Sequence, residues 1–174
     1  MIELKIPEGI SVNVSGDVVS VKGSLGENKR RFNSSLLTVN VSSGKITIAS
    51  TETKALAKKA GISEKSFAKE LSNDMAGAAK HFEIKMQSIH AHFPLTAEVK
   101  GNVLLIKNMI GERAAREAAI VGSTKIEIKG QNIRVYGISL DNVSQTAANI
   151  RKASKIRRKD ERIFQDGIYY ALEE

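Results

Sequence analysis

The chain repeats itself once, and that repeat constrains its fold more than any other feature. Offset by 85 residues, positions 11–32 (SVNVSGDVVSVKGSLGENKRRF) lie over positions 96–117 (TAEVKGNVLLIKNMIGERAARE). Val14 falls over Val99, Gly16 over Gly101, Val18 over Val103 and Val21 over Ile106. Lys22 over Lys107, Leu25 over Ile110 and Gly26-Glu27 over Gly111-Glu112 extend the match. A second pair of segments, 39–48 and 126–135, aligns at a slightly larger offset through Val39, Val41, Ile46 and Ile48 over Ile126, Ile128, Ile133 and Val135. Two copies of one apolar pattern imply two similar small domains, expected at 1–82 and 83–174. The join falls between Phe82 and His90, and Pro94 is expected to mark entry into the second copy.

Each copy carries two hairpin signals. Gly16-Asp17, Ser43-Gly44, Gly101-Asn102 and Gly130-Gln131 can each fill a two-residue turn, whose central residues need positive φ. Turns at these places set Val14 against Val19, Val41 against Ile46, Val99 against Leu104 and Ile128 against Ile133. Val12 with Val21 and Val39 with Ile48 then fall on the same faces. Helical spacing follows in each copy. Phe67, Leu71, Met75, Ala78 and Phe82 form one apolar stripe in the first, and Val143, Ala147 and Ile150 form another in the second. Asn142, with Gln145 three residues on, is the expected cap of the second helix, and the buried face is expected to fade at Ser154. Phe82, Ile84 and Met86 also alternate as a strand does. The expected fold class is α+β: a duplicated antiparallel β-sheet packed on one α-helix per copy.

Charge is concentrated after the second helix. Residues 151–162 hold seven Lys or Arg against Asp160 and Glu161, a local +5 in a chain whose total is +8. Continued as a helix, this arm would project Arg151, Lys155, Arg158 and Arg162 from one face, with Lys152 and Lys159 beside them. No acid relieves their repulsion at four-residue spacing through Lys159, which costs helix stability unless an anion compensates. A surface of this kind suits a polyanion, and nucleic acid is the commonest. Lysines and arginines place a protein on phosphates without choosing a sequence. The loop at 106–116, and its N-terminal counterpart with Lys22, Lys29, Arg30 and Arg31, are also basic enough for phosphate contacts. Asp166-Gly167 reads as a turn that returns Ile168, Tyr169 and Tyr170 to an apolar surface.

Other chemistries find little support. With no Trp and only eight Phe or Tyr, aromatic stacking on single strands is thinly provided for, and folded RNA is the better fit. The absence of Cys excludes disulfides, thiolate catalysis and Cys-ligated zinc. His90 and His92 lie two apart, but the remaining histidine, His81, sits at the end of a predicted helix, so connector histidines are expected rather than a metal site. No nucleophile elbow or phosphate-loop spacing occurs, so neither enzyme activity nor a cofactor is expected. The N-terminal MIELKIPEGI lacks a signal-peptide layout and no apolar run approaches the ~20 residues that span a bilayer. A soluble, intracellular, basic protein is expected.

Four motifs bring a resemblance into view: AHFP at 91–94, IKNMIGER at 106–113, QTAANI at 145–150 and RIFQDGIY at 162–169. Over essentially its whole length the chain resembles the large-subunit ribosomal protein family numbered six in bacteria and archaea and nine in eukaryotes, in its archaeal form. The family is itself known for an internal duplication. The resemblance implies a non-enzymatic constituent of the cytoplasmic large ribosomal subunit. It implies binding to 23S-type rRNA chiefly through the C-terminal half, near the sarcin–ricin loop, with other ribosomal proteins as neighbours and translational GTPases docking nearby. The implied rRNA-binding residues are Lys107, Asn108, Arg113 and Arg116 in the loop, with Arg151, Lys155, Arg157, Arg158, Lys159 and Arg162 in the arm. Phe164, Asp166, Gly167 and Tyr169 are the implied anchors of the tail. The chain departs from the family pattern at Lys152, where glutamine is expected, and at Tyr170 and the Leu172-Glu173-Glu174 ending, where an aliphatic residue and then basic ones are expected.

Overall fold

The computed structural model describes residues 2–42, 44–50, 57–91, 93–160 and 162–171. It divides into two compact units, Met1–His81 and Phe82–Glu174. The first runs β1 (Ile2–Lys5), β2 (Ser11–Ser15), β3 (Val18–Lys22), β4 (Glu27–Arg31), β5 (Leu37–Ser42), β6 (Lys45–Ser50) and α1 (Ala57–Ala79). The second runs β7 (Phe82–Ile89), β8 (Thr96–Lys100), β9 (Val103–Lys107), a 3-10 turn (Met109–Gly111), β10 (Arg116–Ala119), β11 (Lys125–Lys129), β12 (Asn132–Gly137), α2 (Leu140–Ser154) and β13 (Gly167–Tyr170). Among the described residues all pairing between strands is antiparallel, in the orders β1-β6-β5 and β2-β3-β4, then β11-β12-β7-β13 and β10-β9-β8. This is the expected duplicated α+β architecture.

The hairpins form in the expected register. Val14 lies opposite Val19, Val41 opposite Ile46, Val99 opposite Leu104 and Ile128 opposite Ile133. Gly16 and Gly101 turn with φ of 58° and 60°, the left-handed conformation that a side chain would strain; Ser43 of the second turn lies outside the described residues. Because alternate residues face one side, each register buries one apolar row. Val19, Val21, Ile46 and Ile48 meet Phe67, Leu71, Met75 and Ala78 of α1. Leu104, Ile106, Ile133 and Val135 meet Val143, Ala147 and Ile150 of α2. Each fully buried aliphatic side chain contributes about 1.5–3 kcal/mol relative to exposure, so the two rows dominate each unit's stability.

Several local expectations are corrected. Phe82 does not extend the α1 stripe: the helix ends at Ala79, and Phe82 opens β7 opposite Gly137. Nor does the second copy begin at Pro94. Leu4 lies opposite Ile46 as Met86 lies opposite Ile133, and Ile6 N–H donates to Gly44 O (2.9 Å) as Ser88 N–H donates to Gln131 O (2.8 Å). By register, then, β7 is the counterpart of β1 and starts the second copy. The copies diverge at the next step. Ile6-Pro7 stands where the second has Ser88-Ile89, and among the described residues only the second gains a strand there, with β13 pairing Ile168 with Ser88 and Gly167 with Ile89. Proline has no N–H to offer at an edge.

Helix α2 starts earlier than its Asn142 suggests. Ser139 is the N-cap, with an extended backbone (φ −92°, ψ 120°) and an Oγ that accepts from Asn142 N–H at 3.5 Å. Asp141 in its first turn and Arg151 and Lys152 in its last oppose the helix dipole. The buried face does not fade at Ser154, which is fully buried. Its Oγ accepts from Ile168 N–H at 3.1 Å, and its single proton is shared between the Arg151 and Ile168 carbonyls at 3.1 and 3.3 Å. The tail strand thus closes over the end of the helix.

Candidate nucleic-acid interface

The two copies differ most in the connection after their central strand. Val18 to Val103 is an offset of 85, but their partners Arg31 and Ala119 are 88 apart, so the β9–β10 loop holds three extra residues. Strand register therefore overrides the expected overlay of Gly26-Glu27 on Gly111-Glu112. The longer loop takes a 3-10 turn in which Asn108, Ile110 and Gly111 have φ of 60°, 51° and 75°. For β-branched Ile110 this conformation is a genuine outlier, of the kind that costs about 1–3 kcal/mol and persists only where the surroundings hold it. Met109 is buried beneath it, and Glu112 N–H donates to Met109 O at 2.9 Å. The Phe93 ring packs where a Gly111 Cβ would lie, 3.5 Å away, and Asn108 Nδ2 donates to Pro94 O at 3.1 Å.

The arm is helical only as far as Ser154, where α2 ends. Lys155 leaves α2 in an extended conformation, Arg158 adopts φ 62°, and the chain turns around Asp160. Asp160 O accepts the Ile163 and Phe164 N–H groups at 3.1 and 2.9 Å, while its Oδ1 accepts Arg162 N–H at 3.0 Å and Nε–H at 3.2 Å. Like charges without matching acids favour leaving the helix, and Ile156 gains burial by doing so. The arm then runs to β13, and buried Asp166 accepts Ala91 N–H through Oδ1 at 2.6 Å. The segment around 91–94 therefore receives both the loop, through Phe93 and Pro94, and the tail, through Ala91.

Loop and arm face each other across an open groove of about 530 Å³. Of the expected residues, Arg116, Lys155, Arg157 and Lys159 line it, together with Lys152, Ile110, Ala153 and Ile156 and the acids Glu112 and Glu117. Arg116 is bound inside: Nη2 and Nε hold Glu112 at 2.6 and 2.8 Å, and Nη1 donates to Ala153 O and Lys155 O at 3.2 and 3.0 Å. That bidentate contact holds the Glu112 carboxyl below its usual range and raises Arg116 further above its own. Lys159 lies with its Nζ 4.4 Å from the centre of the Phe164 ring.

The other expected residues flank the groove. Lys107 pairs with Glu98, whose carboxyl that hydrogen bond lowers. Arg151 stacks over the Tyr169 ring at 4.3 Å. Arg113, Arg158 and Arg162 are exposed. Gly167 is tightly packed, since a Cβ there would meet the Tyr169 ring at 3.1 Å. The N-terminal counterpart is no basic loop: Lys29, Arg30 and Arg31 lie within β4, and Arg30 turns inward to Asp74 (Nε–Oδ2 2.6 Å) and Glu70 (Nη1–Oε2 2.9 Å).

Sequence reasoning missed Glu112, Ser154 and Ile156. The Glu112-x-x-x-Arg116 spacing was a signal, and so was a lone isoleucine within a cationic run. Among the described residues no three His, Asp or Glu side chains gather as a metal site, and no helix is long and apolar enough to cross a membrane. His92 lies outside the described residues.

Comparison with known proteins bears on the whole chain. The family described as Ribosomal protein L6 matches residues 93–167. Three relatives are each named large ribosomal subunit protein uL6. That of Methanosarcina mazei is 42% identical over 95% of this chain and 93% of its own length. Those of Methanocella arvoryzae and Methanobrevibacter smithii are 38% and 37% identical, covering 96% and 99% of this chain and 93% and 95% of their own lengths. The matched residues take in the strained loop and the arm and end at the first residue of the tail strand, while the identity to the relatives runs through both copies of the fold: the chain belongs to the ribosomal protein uL6 family.

Proposed function

We propose that the chain binds large-subunit rRNA through its C-terminal unit, with the groove between the β9–β10 loop and the arm as the principal phosphate contact. As a uL6 protein it is a structural component of the large subunit, acting in translation and not as an enzyme. The observation that carries the finer reading is the convergence of Lys152, Lys155, Arg157 and Lys159 on one concave surface beside exposed Arg113, Arg158 and Arg162. Such a surface neutralises phosphates where RNA helices pack closely, and it reads shape and charge, not base identity. On this reading the unit sits near the sarcin–ricin loop and the docking site of translational GTPases, within the cytoplasmic ribosome. The N-terminal unit, whose Arg30 is engaged internally, faces ribosomal-protein neighbours or solvent.

Deleting residues 145–174 is a poor test, because Ala147, Ile150 and Ile168 belong to the core. Charge reversal of Arg157 and Arg158, both exposed, leaves that core intact. Titrated with deproteinised large-subunit rRNA across a range of salt, the double variant is expected to bind more weakly. Its log K against log salt is expected to be shallower by about 0.7–0.9 for each phosphate no longer neutralised. Unchanged affinity and slope would remove the arm from the interface.

A further inference from the structure

Arg116 stands apart from the other cations of the groove because its guanidinium is already engaged. Of the five N–H donors of a guanidinium, four are occupied by Glu112 and by the carbonyls of Ala153 and Lys155. Those carbonyls lie at the end of α2, where a helix leaves acceptors unfilled and its dipole favours a cation. One side chain thereby joins the strained loop, the first residue of β10 and the root of the arm.

The rest of the seam between β10 and α2 does not depend on it. Asn149 Nδ2 donates to Ala119 O at 2.9 Å, and Val121 N–H donates to Thr146 Oγ1 at 3.0 Å. Losing Arg116 would therefore remove the tie between the loop and the root of the arm while the unit stays packed. The first copy shows what the sheet position does without an arm. Asn28 lies opposite Val21 as Arg116 lies opposite Ile106, reaches only Asp74 of α1 (3.4 Å), and α1 passes into β7 with one short link.

Resting on the RNA-binding reading above, we propose that Arg116 is a positioning residue for that binding. It latches the arm beside the loop so that Arg157, Arg158 and Lys159 meet phosphates from a fixed geometry, and it makes no phosphate contact itself. An untethered arm of like charges would spread away from the loop, and the cost of ordering it would fall on the binding step. Glu112 is part of the latch. A carboxylate beside an anion-binding groove weakens binding by simple electrostatics, but here it fixes the guanidinium that fixes the arm.

The test uses the full chain with Arg116→Lys, Arg116→Ala and Glu112→Gln, titrated with deproteinised large-subunit rRNA over a range of salt. Tryptic cleavage after Arg157 and Arg158 of the free protein is followed in parallel, and thermal midpoints confirm folding. The latch predicts that Arg116→Lys, though it keeps the charge, loses affinity on the order of tenfold, and that Arg116→Ala leaves the salt slope unchanged. Glu112→Gln should also bind several-fold more weakly despite removing a negative charge, and the arm should be cut faster in all three variants. A lysine variant that binds like the parent overturns the proposal. So does a Glu112→Gln variant that binds more tightly, or a slope that drops by about 0.7–0.9 in Arg116→Ala. Unchanged cleavage with normal parental binding overturns the latch alone. A parental protein that fails to bind the rRNA overturns the binding reading, and the proposal with it.

Discussion

Replacing Ser154 by alanine removes one oxygen atom from a site with no exposure to solvent. That oxygen accepts the Ile168 N–H at 3.1 Å on the side of β13 that, among the described residues, no other strand covers. Two costs add. The hydrogen bond itself contributes about 1 kcal/mol net, and a buried amide left without an acceptor costs about 1–3 kcal/mol. Because the Ile168 side chain is fully buried and held by the α2 core, the strand cannot simply drift outward to water. We expect a loss of about 2–3 kcal/mol, which in a domain of this size lowers the midpoint by roughly 10–20 °C. The protein carries its own reporter. It has no Trp and its three tyrosines, Tyr136, Tyr169 and Tyr170, all lie in the second unit, so tyrosine fluorescence during urea unfolding follows that unit alone. The Ile168 amide should also lose most of its protection from hydrogen exchange. A variant within about 0.5 kcal/mol of the parent, with Ile168 still protected, would refute the assignment of the hydroxyl as the tail strand's tether.

In the first unit, Arg30→Met should cost about 3–5 kcal/mol, because it leaves the buried Asp74 carboxylate without its guanidinium; far-UV circular dichroism should show the loss while the tyrosine signal stays in place. Gly23→Ala should cost about 1–3 kcal/mol in the same assay, since its Cβ would lie 2.6 Å from Ala78 O and 2.8 Å from Ala78 Cβ, atoms of the helix that cannot swing away. The Glu112–Arg116 pair sets an acid limit on the arm. Glu112 has a lowered carboxyl, chiefly through the hydrogen bond from Arg116, so the pair's contribution is complete above the ordinary carboxylate value of 4.5 and fades as pH falls through the lower folded value. Resonances of Arg116 Nε–H and of the arm should hold steady from about pH 8 down to about pH 5 and shift only in stronger acid; a transition near neutrality would contradict the assignment.

What the sequence displays and what it conceals divide along one physical line. Alternation is local, so Val12, Val14, Val19 and Val21 announce their own hairpin, and four glycine-bearing turns agree on which rows are buried. The stripe through Phe67, Leu71, Met75 and Ala78 is equally local. The path of the arm is not. A charge run looks helical by spacing, but it is ended by burial of Ile156, by the Asp160 turn and by Arg116, which arrives from a strand 39 residues earlier in sequence than Lys155. Ser154 reads as the end of an apolar face because hydroxyls usually seek water; here its partner is the backbone of a strand fourteen residues on. The three-residue insertion is hidden because Gly-Glu recurs in both loops, while pairing of Ala118 and Ala119 with β9 sets the true register.

Two sheets of like pattern on one chain run a risk that a lone domain does not. Each copy is tethered to the other, so the tail segment searches for its edge against a second, look-alike edge at a local concentration set by the linker, on the millimolar scale for short ones. Misassembly of this kind is a known hazard of repeated domains. At β7 the small Ser88 lies opposite Ile168 and Ile89 carries an N–H, whereas just past β1 the corresponding residues are Ile6, which packs its own side chain against the core, and Pro7, which carries none. The difference works as an address label: two residues tell the folding chain which of its twin edges the tail belongs to, and exchanging Ile6-Pro7 for Ser-Ile would give the tail two destinations.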